Sequence, residues 1–130
     1  HTREGLELKL RRAPKVLPEL RRLAPRPTRL VGFKLEVGRS AAELEESARR
    51  LQREAGLDWV VANDVATMGS PETTALVLPP GGGRHWIRGP KRSFAAKLLE
   101  DVGRELSNRE AGRSSRAARP GGAAPRRHRP

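Results

Sequence analysis

The sequence predicts an α/β fold: an incomplete, Rossmann-like parallel sheet followed by a β-hairpin and a C-terminal helix. The first observation is the apolar run Trp59–Ala62, which ends abruptly at Asn63 and Asp64 and is typical of a buried parallel strand. The second is a similar run, Leu30–Glu36, which precedes it. The third is a helical pattern between the two runs, because parallel sheets are built from strand–helix–strand units.

The N-terminal segment adds a strand and a short helix to this pattern. Residues 6–10 alternate Leu with charged residues and predict a half-buried strand. Pro14 opens a helix, and Pro18 is tolerable only in its first turn. Pro25 and Pro27 end this helix. Its apolar side chains fall on one face: Val16, Leu17, Leu20 and Leu23.

The helix between the two central strands is predicted over residues 41–55. Ser40 and Glu43 have the spacing of a capping box at its start. Gly56 ends it, as glycine commonly does after the last helical turn. One apolar stripe follows the helical period: Leu44, Ala48, Leu51 and Ala55.

A hairpin and a last helix complete the predicted fold. The strands are expected at 74–78 and 84–87, joined by the Pro/Gly turn 79–83. Gly81–Gly83 lack a following Lys-Ser/Thr and helix, so a phosphate-binding loop is not expected there. Pro90 begins a helix over roughly 90–105. Its inward side chains are predicted to be Phe94, Leu98, Leu99, Val102 and Leu106.

The chain is predicted to divide into an α/β domain at residues 1–106 and a disordered tail at residues 107–130. The tail is rich in Arg, Pro and Gly and has no periodicity. Such a composition cannot bury enough apolar area to offset an ordering cost of about 1–2 kcal/mol per residue.

Composition excludes several classes of protein. The 130 residues include no Cys, which excludes a disulfide framework and a thiolate metal site. No apolar run approaches the roughly 20 residues that cross a bilayer, so we expect no membrane partner and a cytoplasmic location. The net charge of +12 lies at the two ends, while residues 30–103 carry ten charges of each sign. A neutral body disfavours a dedicated nucleic-acid domain, which carries its charge on a folded face.

The ends of the two central strands are the predicted binding site. Open α/β sheets bind ligands beyond the carboxyl ends of their strands. Phe33 and Asn63 lie at these ends and could form half of a base-binding pocket. Two simpler interpretations stay open: Asn63 and Asp64 are common turn formers, and Phe33 fits a core position.

An ordered set of landmarks over residues 6–102 resembles the C-terminal half of the phosphopantothenate–cysteine ligase (phosphopantothenoylcysteine synthetase) family. The landmarks are Leu6–Leu10 with Pro14 and Lys15, Val31–Glu36, Leu57–Val65, Gly69-Ser70, Ala75–Leu78 and Gly89–Arg92. The Phe33–Glu36 segment is closer to archaeal and eukaryotic members than to common bacterial ones.

The resemblance implies an activity and a set of binding residues. The family condenses 4′-phosphopantothenate with cysteine through an acyl-nucleotide intermediate, using Mg²⁺ with CTP or ATP. It implies that Phe33 packs on the nucleotide and that Asn63 reads the edge of the base. It also places the backbone of Pro14, Lys15, Val16 and Leu17 at the nucleotide, where free N–H groups of a helix start attract phosphate. Lys91 is expected either near a phosphate or as an ordinary solvated lysine.

The sequence also departs from the family pattern. The family's glycine-rich phosphate loop, Ala-Ala-x-x-Asp segment, flap lysine and catalytic Asn would all precede His1. At the positions of two lysines in bacterial members, this sequence has Leu51 and Ala55. We therefore expect the chain to supply the nucleotide-base side of the site and to be inactive alone. The alternative is a non-enzymatic basic accessory module that binds nucleic acid through its ends. A homo-oligomer and the choice between CTP and ATP are left open.

Overall fold

The computed structural model describes residues 5–67 and 69–118, and in them a four-stranded sheet in the order β1-β2-β3-β4. The strands are β1 (Val31–Glu36), β2 (Trp59–Asp64), β3 (Glu72–Leu78) and β4 (His85–Pro90), and the helices are α1 (Val16–Leu23), α2 (Ala41–Glu54) and α3 (Lys91–Ala117). One turn of 3-10 helix, Val65–Thr67, follows β2. The chain divides into two compact units, His1–Arg88 and Gly89–Pro130.

The pairing of the strands confirms the predicted α/β fold class. β1 and β2 are adjacent and parallel, with Val31 beside Trp59 and Glu36 beside Asp64. β3 pairs antiparallel with β2, and Val61 lies beside Val77. The predicted hairpin strands therefore extend the same sheet, which makes it mixed rather than wholly parallel.

The core of the first unit lies between α2 and one face of the sheet. The Ser40 side chain accepts from the backbone N–H of Glu43, and Glu43 accepts from that of Ser40, so the predicted capping box is confirmed. Gly56 follows the helix at a φ of +62°, a conformation that favours glycine. The buried side chains of the cluster come from α2, β2, β3 and the turn before β2: Leu44, Ala48, Ala55, Leu57, Val60, Ala62, Leu76 and Leu78.

A buried carboxylate holds α1 against the start of the sheet. The side chain of Asp58 is 8% exposed and pairs with the guanidinium of Arg21. Asp58 also accepts from the backbone N–H of Leu30 at 2.9 Å. Arg21 further donates from Nε to the Gly56 carbonyl at 2.7 Å. These groups belong to α1, to the residue before β1 and to the turn between α2 and β2. One hydrogen-bonded network therefore joins three segments of the chain.

The strand predicted at residues 6–10 is wrong. These residues form no regular element and are exposed; the exposed fractions are 85% for Leu6, 70% for Leu8 and 89% for Leu10. A half-buried strand needs a neighbour to pair with and a face to cover. Within the described residues no strand lies beside this segment, so the alternation has nothing to pack against.

The last helix differs from its prediction in length and in one inward residue. Leu98 is buried, but Leu99 is 73% exposed, because Leu99 lies off the stripe of Phe94, Leu98 and Val102. The helix continues to Ala117 rather than ending near 105, with residues 107–118 exposed. Residues 119–130 of the predicted tail lie outside the described residues. No helix in the described ranges is both long enough and apolar enough to cross a bilayer.

Candidate functional site

The two parallel strands end side by side at one edge of the sheet. Leu35 pairs with Asn63, and Glu36 with Asp64. Side chains of successive residues alternate between the faces of a strand, so Phe33, Leu35 and Asn63 share one face. Glu36 and Asp64 lie on the other, with α2. The predicted pair Phe33 and Asn63 is therefore on the same face at the carboxyl edge.

Phe33 and Asn63 differ in exposure. Phe33 is 67% exposed, so it is not the core residue that the simpler interpretation expects. Leu35, which pairs with Asn63 and lies two residues beyond Phe33 on β1, is 46% exposed. Asn63 is half-buried. Phe33 lies beside Val61 and Asn63 beside Leu35, so the exposed ring and the half-buried amide are diagonal neighbours on one face. Together they offer a stacking surface and a directional hydrogen-bonding group.

The carboxylate of Asp64, the residue after Asn63, binds backbone N–H groups in two turns. Its carboxylate accepts from the N–H of Ala66 at 2.8 Å and from that of Arg39 at 3.2 Å. These bonds, that of Ala66 first, hold the pKa of Asp64 below its usual value. One carboxylate thus fixes both the turn after β2 and the turn after β1, as the turn-forming interpretation expects for this residue.

A polar cavity of about 290 Å³ lies on the α2 face beside the same edge. Glu36 accepts from the Ser47 hydroxyl at 2.7 Å and pairs with Lys34 at 3.1 Å. The Ser47 hydroxyl and then Lys34 hold the pKa of Glu36 below its usual value. The cavity is lined by Lys34, Glu36, Arg39, Glu43, Glu46, Ser47 and Arg50.

Sequence reasoning missed this cavity. Its charged residues come from β1, from α2 and from the turn between them, which supplies Arg39. The separation of Glu36 and Ser47 in the sequence does not predict their hydrogen bond, which forms only because α2 packs on β1. The only sequence signal is position, since Lys34 and Glu36 lie at the carboxyl end of a predicted parallel strand.

The residues predicted at the start of α1 are not brought to this edge by the contacts in the structure. α1 begins at Val16, with Lys15 as N-cap and without a side-chain cap. Pro14, Lys15 and Val16 are exposed. Leu17 is half-buried against the core cluster on the α2 face, whereas Phe33 and Asn63 lie on the opposite face. Their role at a nucleotide stays a prediction.

Lys91 is the exposed first residue of α3 and belongs to the second compact unit. Pro90 is the N-cap of that helix, so α3 begins as the sequence predicts. In the described ranges, no three His, Cys, Asp or Glu side chains are grouped as a metal site would require. A Mg²⁺ ion that is carried on nucleotide phosphates needs only one or two protein carboxylates.

Comparison with known proteins gives a consistent set of relatives. The family model described as "DNA/pantothenate metabolism flavoprotein C-terminal domain" matches residues 1–106. The coenzyme A biosynthesis bifunctional protein CoaBC of Thermococcus kodakarensis is 35% identical over 103 residues. That match covers 79% of this chain and 25% of the relative.

Two solved structures have the same fold. The DNA/pantothenate metabolism flavoprotein from Streptococcus pneumoniae is 26% identical with a TM-score of 0.69, over 80% of this chain and 44% of that one. A Cab2 mutant in complex with phosphopantothenate-cysteine is 15% identical with a TM-score of 0.61, over 80% of this chain and 34% of that one. The chain thus spans a quarter to under half the length of these relatives.

Proposed function

Because this chain belongs to the DNA/pantothenate metabolism flavoprotein C-terminal domain family, we propose that it forms the nucleotide-base side of a phosphopantothenate–cysteine ligase. The ligase serves coenzyme A biosynthesis. The substrates are 4′-phosphopantothenate, cysteine and CTP or ATP, with Mg²⁺ on the nucleotide phosphates. The name of the CoaBC relative, of which this chain covers 25%, supports the pathway.

The observation that carries this proposal is the pair Phe33 and Asn63. Removing a Phe side chain from water is worth about 1.5–3 kcal/mol, so leaving Phe33 67% exposed forgoes most of that stabilisation. A nucleobase stacked on the ring would recover it, since base–aromatic stacking is worth about 1–3 kcal/mol. Asn63 can then donate to or accept from the base edge, because its amide carries both kinds of group.

The proposed reaction has two transfers. The carboxylate of 4′-phosphopantothenate attacks the α-phosphorus of the nucleotide and releases pyrophosphate. The amine of cysteine then attacks the acyl carbon, forms the amide bond and releases the nucleoside monophosphate. This chain would hold the base and so position the α-phosphorus, while the groups that stabilise the developing charge lie in the rest of the ligase.

Nucleotide binding tests the role of the strand ends. CTP or ATP with Mg²⁺ should shift amide NMR signals near Phe33 and Asn63, weakly in this chain alone. Phe33→Ala should weaken binding by about 5- to 150-fold, the loss of one stacked base. Asn63→Ala should reduce discrimination between CTP and ATP by about 2- to 13-fold, the worth of one hydrogen bond, with little loss of stability.

The matched control is Leu23→Ala, which shortens an apolar side chain that is 65% exposed at the end of α1. Asp58 fastens this helix at the amino ends of the strands, so the change should leave nucleotide affinity unchanged. Amide shifts centred elsewhere, or an equal effect of Leu23→Ala, would contradict the base-binding role.

Turnover tests whether the chain is one part of a site. The chain alone should release no pyrophosphate from CTP or ATP in the presence of phosphopantothenate and cysteine. Adding the N-terminal half of a family ligase as a separate chain should restore release. Turnover by the 130-residue chain alone would contradict the half-site proposal. No turnover with the matched half, together with no nucleotide binding, would favour the basic accessory module.

A further inference from the structure

β4 and Arg84, the residue before it, present an alternating charged and aromatic row at an open edge of the sheet. In the described part of the chain, β3 flanks β4 on one side and no strand flanks it on the other. Arg84, Trp86 and Arg88 are exposed and alternate with the half-buried His85 and Ile87. Residues two apart share a face of a strand, so this row spans about 13 Å.

Trp86 stands beside a groove rather than on a flat surface. The groove has a volume of about 560 Å³ and lies between α2 and β4. Ala41 and Ala42 line it on the helix side and leave the indole uncovered. Trp86 is 46% exposed, whereas the chain's other tryptophan, Trp59, is 3% exposed. An exposed indole in a groove is an anchor that partners commonly bury.

The arginine at one end of the row is held in place. Arg84 pairs with Glu45 of α2, and Glu45 also accepts from Arg49 Nε at 2.9 Å. These two guanidinium groups hold the pKa of Glu45 below its usual value, so it stays ionised. Arg84 and Arg49 share the Glu45 carboxylate, and Glu46 is the other carboxylate that lines the groove. Arg88 adds a positive charge at the other end of the row.

The order of charges disfavours a second copy of this chain as the occupant of the edge. In an antiparallel pair of β4 strands centred on Trp86, Arg84 of each copy would lie opposite Arg88 of the other. Like charges directly opposite each other destabilise a strand pair. A strand with acidic residues at those two positions would replace both repulsions with ion pairs.

We propose that the open edge of β4 binds an extended acidic peptide, which adds to the sheet as a fifth strand. The pattern that fits is Glu-x-Val-x-Glu: the two carboxylates meet Arg84 and Arg88, and the central apolar side chain covers Trp86. Backbone hydrogen bonds to β4 supply affinity, and alternate side chains supply specificity. This binding does not depend on the ligase proposal, which concerns β1 and β2.

The test uses the full 130-residue chain and a synthetic Glu-x-Val-x-Glu peptide of about nine residues, with Thr at x, which covers the row of about 13 Å. Binding should shift the tryptophan emission to shorter wavelength, because Trp86 becomes covered while Trp59 is already buried. At low ionic strength, charge pairs are least screened. The acidic peptide should then bind at least about tenfold tighter than the Lys peptide, in which both Glu residues are replaced by Lys. Replacing a Thr with Pro, which removes a backbone donor, should weaken binding.

A charge exchange makes the test specific to the row. Arg88→Glu should remove the preference for the acidic peptide and raise affinity for the Lys peptide. The matched control is Arg53→Glu, the same charge change at an exposed position of α2 away from the groove, which should leave both affinities unchanged. Equal binding of the two peptides, no effect of Arg88→Glu, or stronger binding of an oligothymidylate than of the acidic peptide would each overturn the proposal.

Discussion

Asp64 makes the acid stability of the first unit depend on one carboxylate. Backbone N–H groups of Ala66 and Arg39 bind its charged form, and its pKa is lowered in the folded state. Its contribution to stability is therefore present above the ordinary Asp value of about 3.9 and is lost as pH falls through the lower folded value. Asp64→Asn should reduce the free energy of unfolding near neutral pH and should flatten its decline in acid.

Denaturant unfolding of both proteins between neutral pH and about pH 3 measures this difference, since the Asp titration falls in that interval. Glu54→Gln serves as the control, because Glu54 is exposed on α2. It should leave the slope of stability against pH almost unchanged. A variant Asp64→Asn with the same slope as the parent would show that the carboxylate does not carry this linkage.

Only part of the candidate site could be predicted from individual residues of the sequence. The placement of Phe33 and Asn63 on one face at the carboxyl edge follows from strand periodicity and parallel order, and both were visible in the sequence. The cavity around Glu36 and Ser47 was not, because it needs the angle at which α2 crosses β1. The half-buried position of Leu17 likewise depends on where α1 packs.

At the scale of elements, Arg21 and Asp58 fasten α1 to the sheet. Asp58 is 7% exposed, and Arg26 and Arg29 approach it at 3.6 and 3.7 Å. Arg21→Ala should lower the free energy of unfolding by about 3 kcal/mol, the lower end for breaking a buried pair, because Arg26 and Arg29 remain to compensate. Chemical denaturation measures the loss.

The neighbouring arginine supplies the control for this prediction. Arg22 pairs with Glu19 on the surface of the same helix at 2.8 Å, and both side chains are more than half exposed. Arg22→Ala should cost no more than about 1 kcal/mol, as surface ion pairs do. Equal losses for the two variants would mean that α1 contributes little to the fold through Asp58.

At the scale of the whole molecule, the chain should keep its stability without its last residues. Residues 107–117 are helical, and all of residues 107–118 are exposed, so they remove little apolar surface from water. Truncation after Leu106 should change the free energy of unfolding by less than about 0.5 kcal/mol, as surface changes usually do. The midpoint of thermal unfolding, followed by circular dichroism, checks this.

Leu98→Ala is the contrasting variant on the same helix. Leu98 is 7% exposed, and truncating a buried Leu costs about 2–5 kcal/mol. A truncated chain that melts as early as Leu98→Ala would show that residues 107–130 take part in the fold, and the prediction of a dispensable tail would be wrong.

The sequence by itself determined the local structure and the order of the elements. The capping box at Ser40, the apolar runs of β1 and β2 and the Pro/Gly turn before β4 each depend on residues close together in the chain. Tertiary structure alone decided whether residues 6–10 form a strand and which side chains surround Glu36. The physical reason is that burial and pairing depend on distant partners: the Leu6–Leu10 alternation is a strand only where another strand lies beside it.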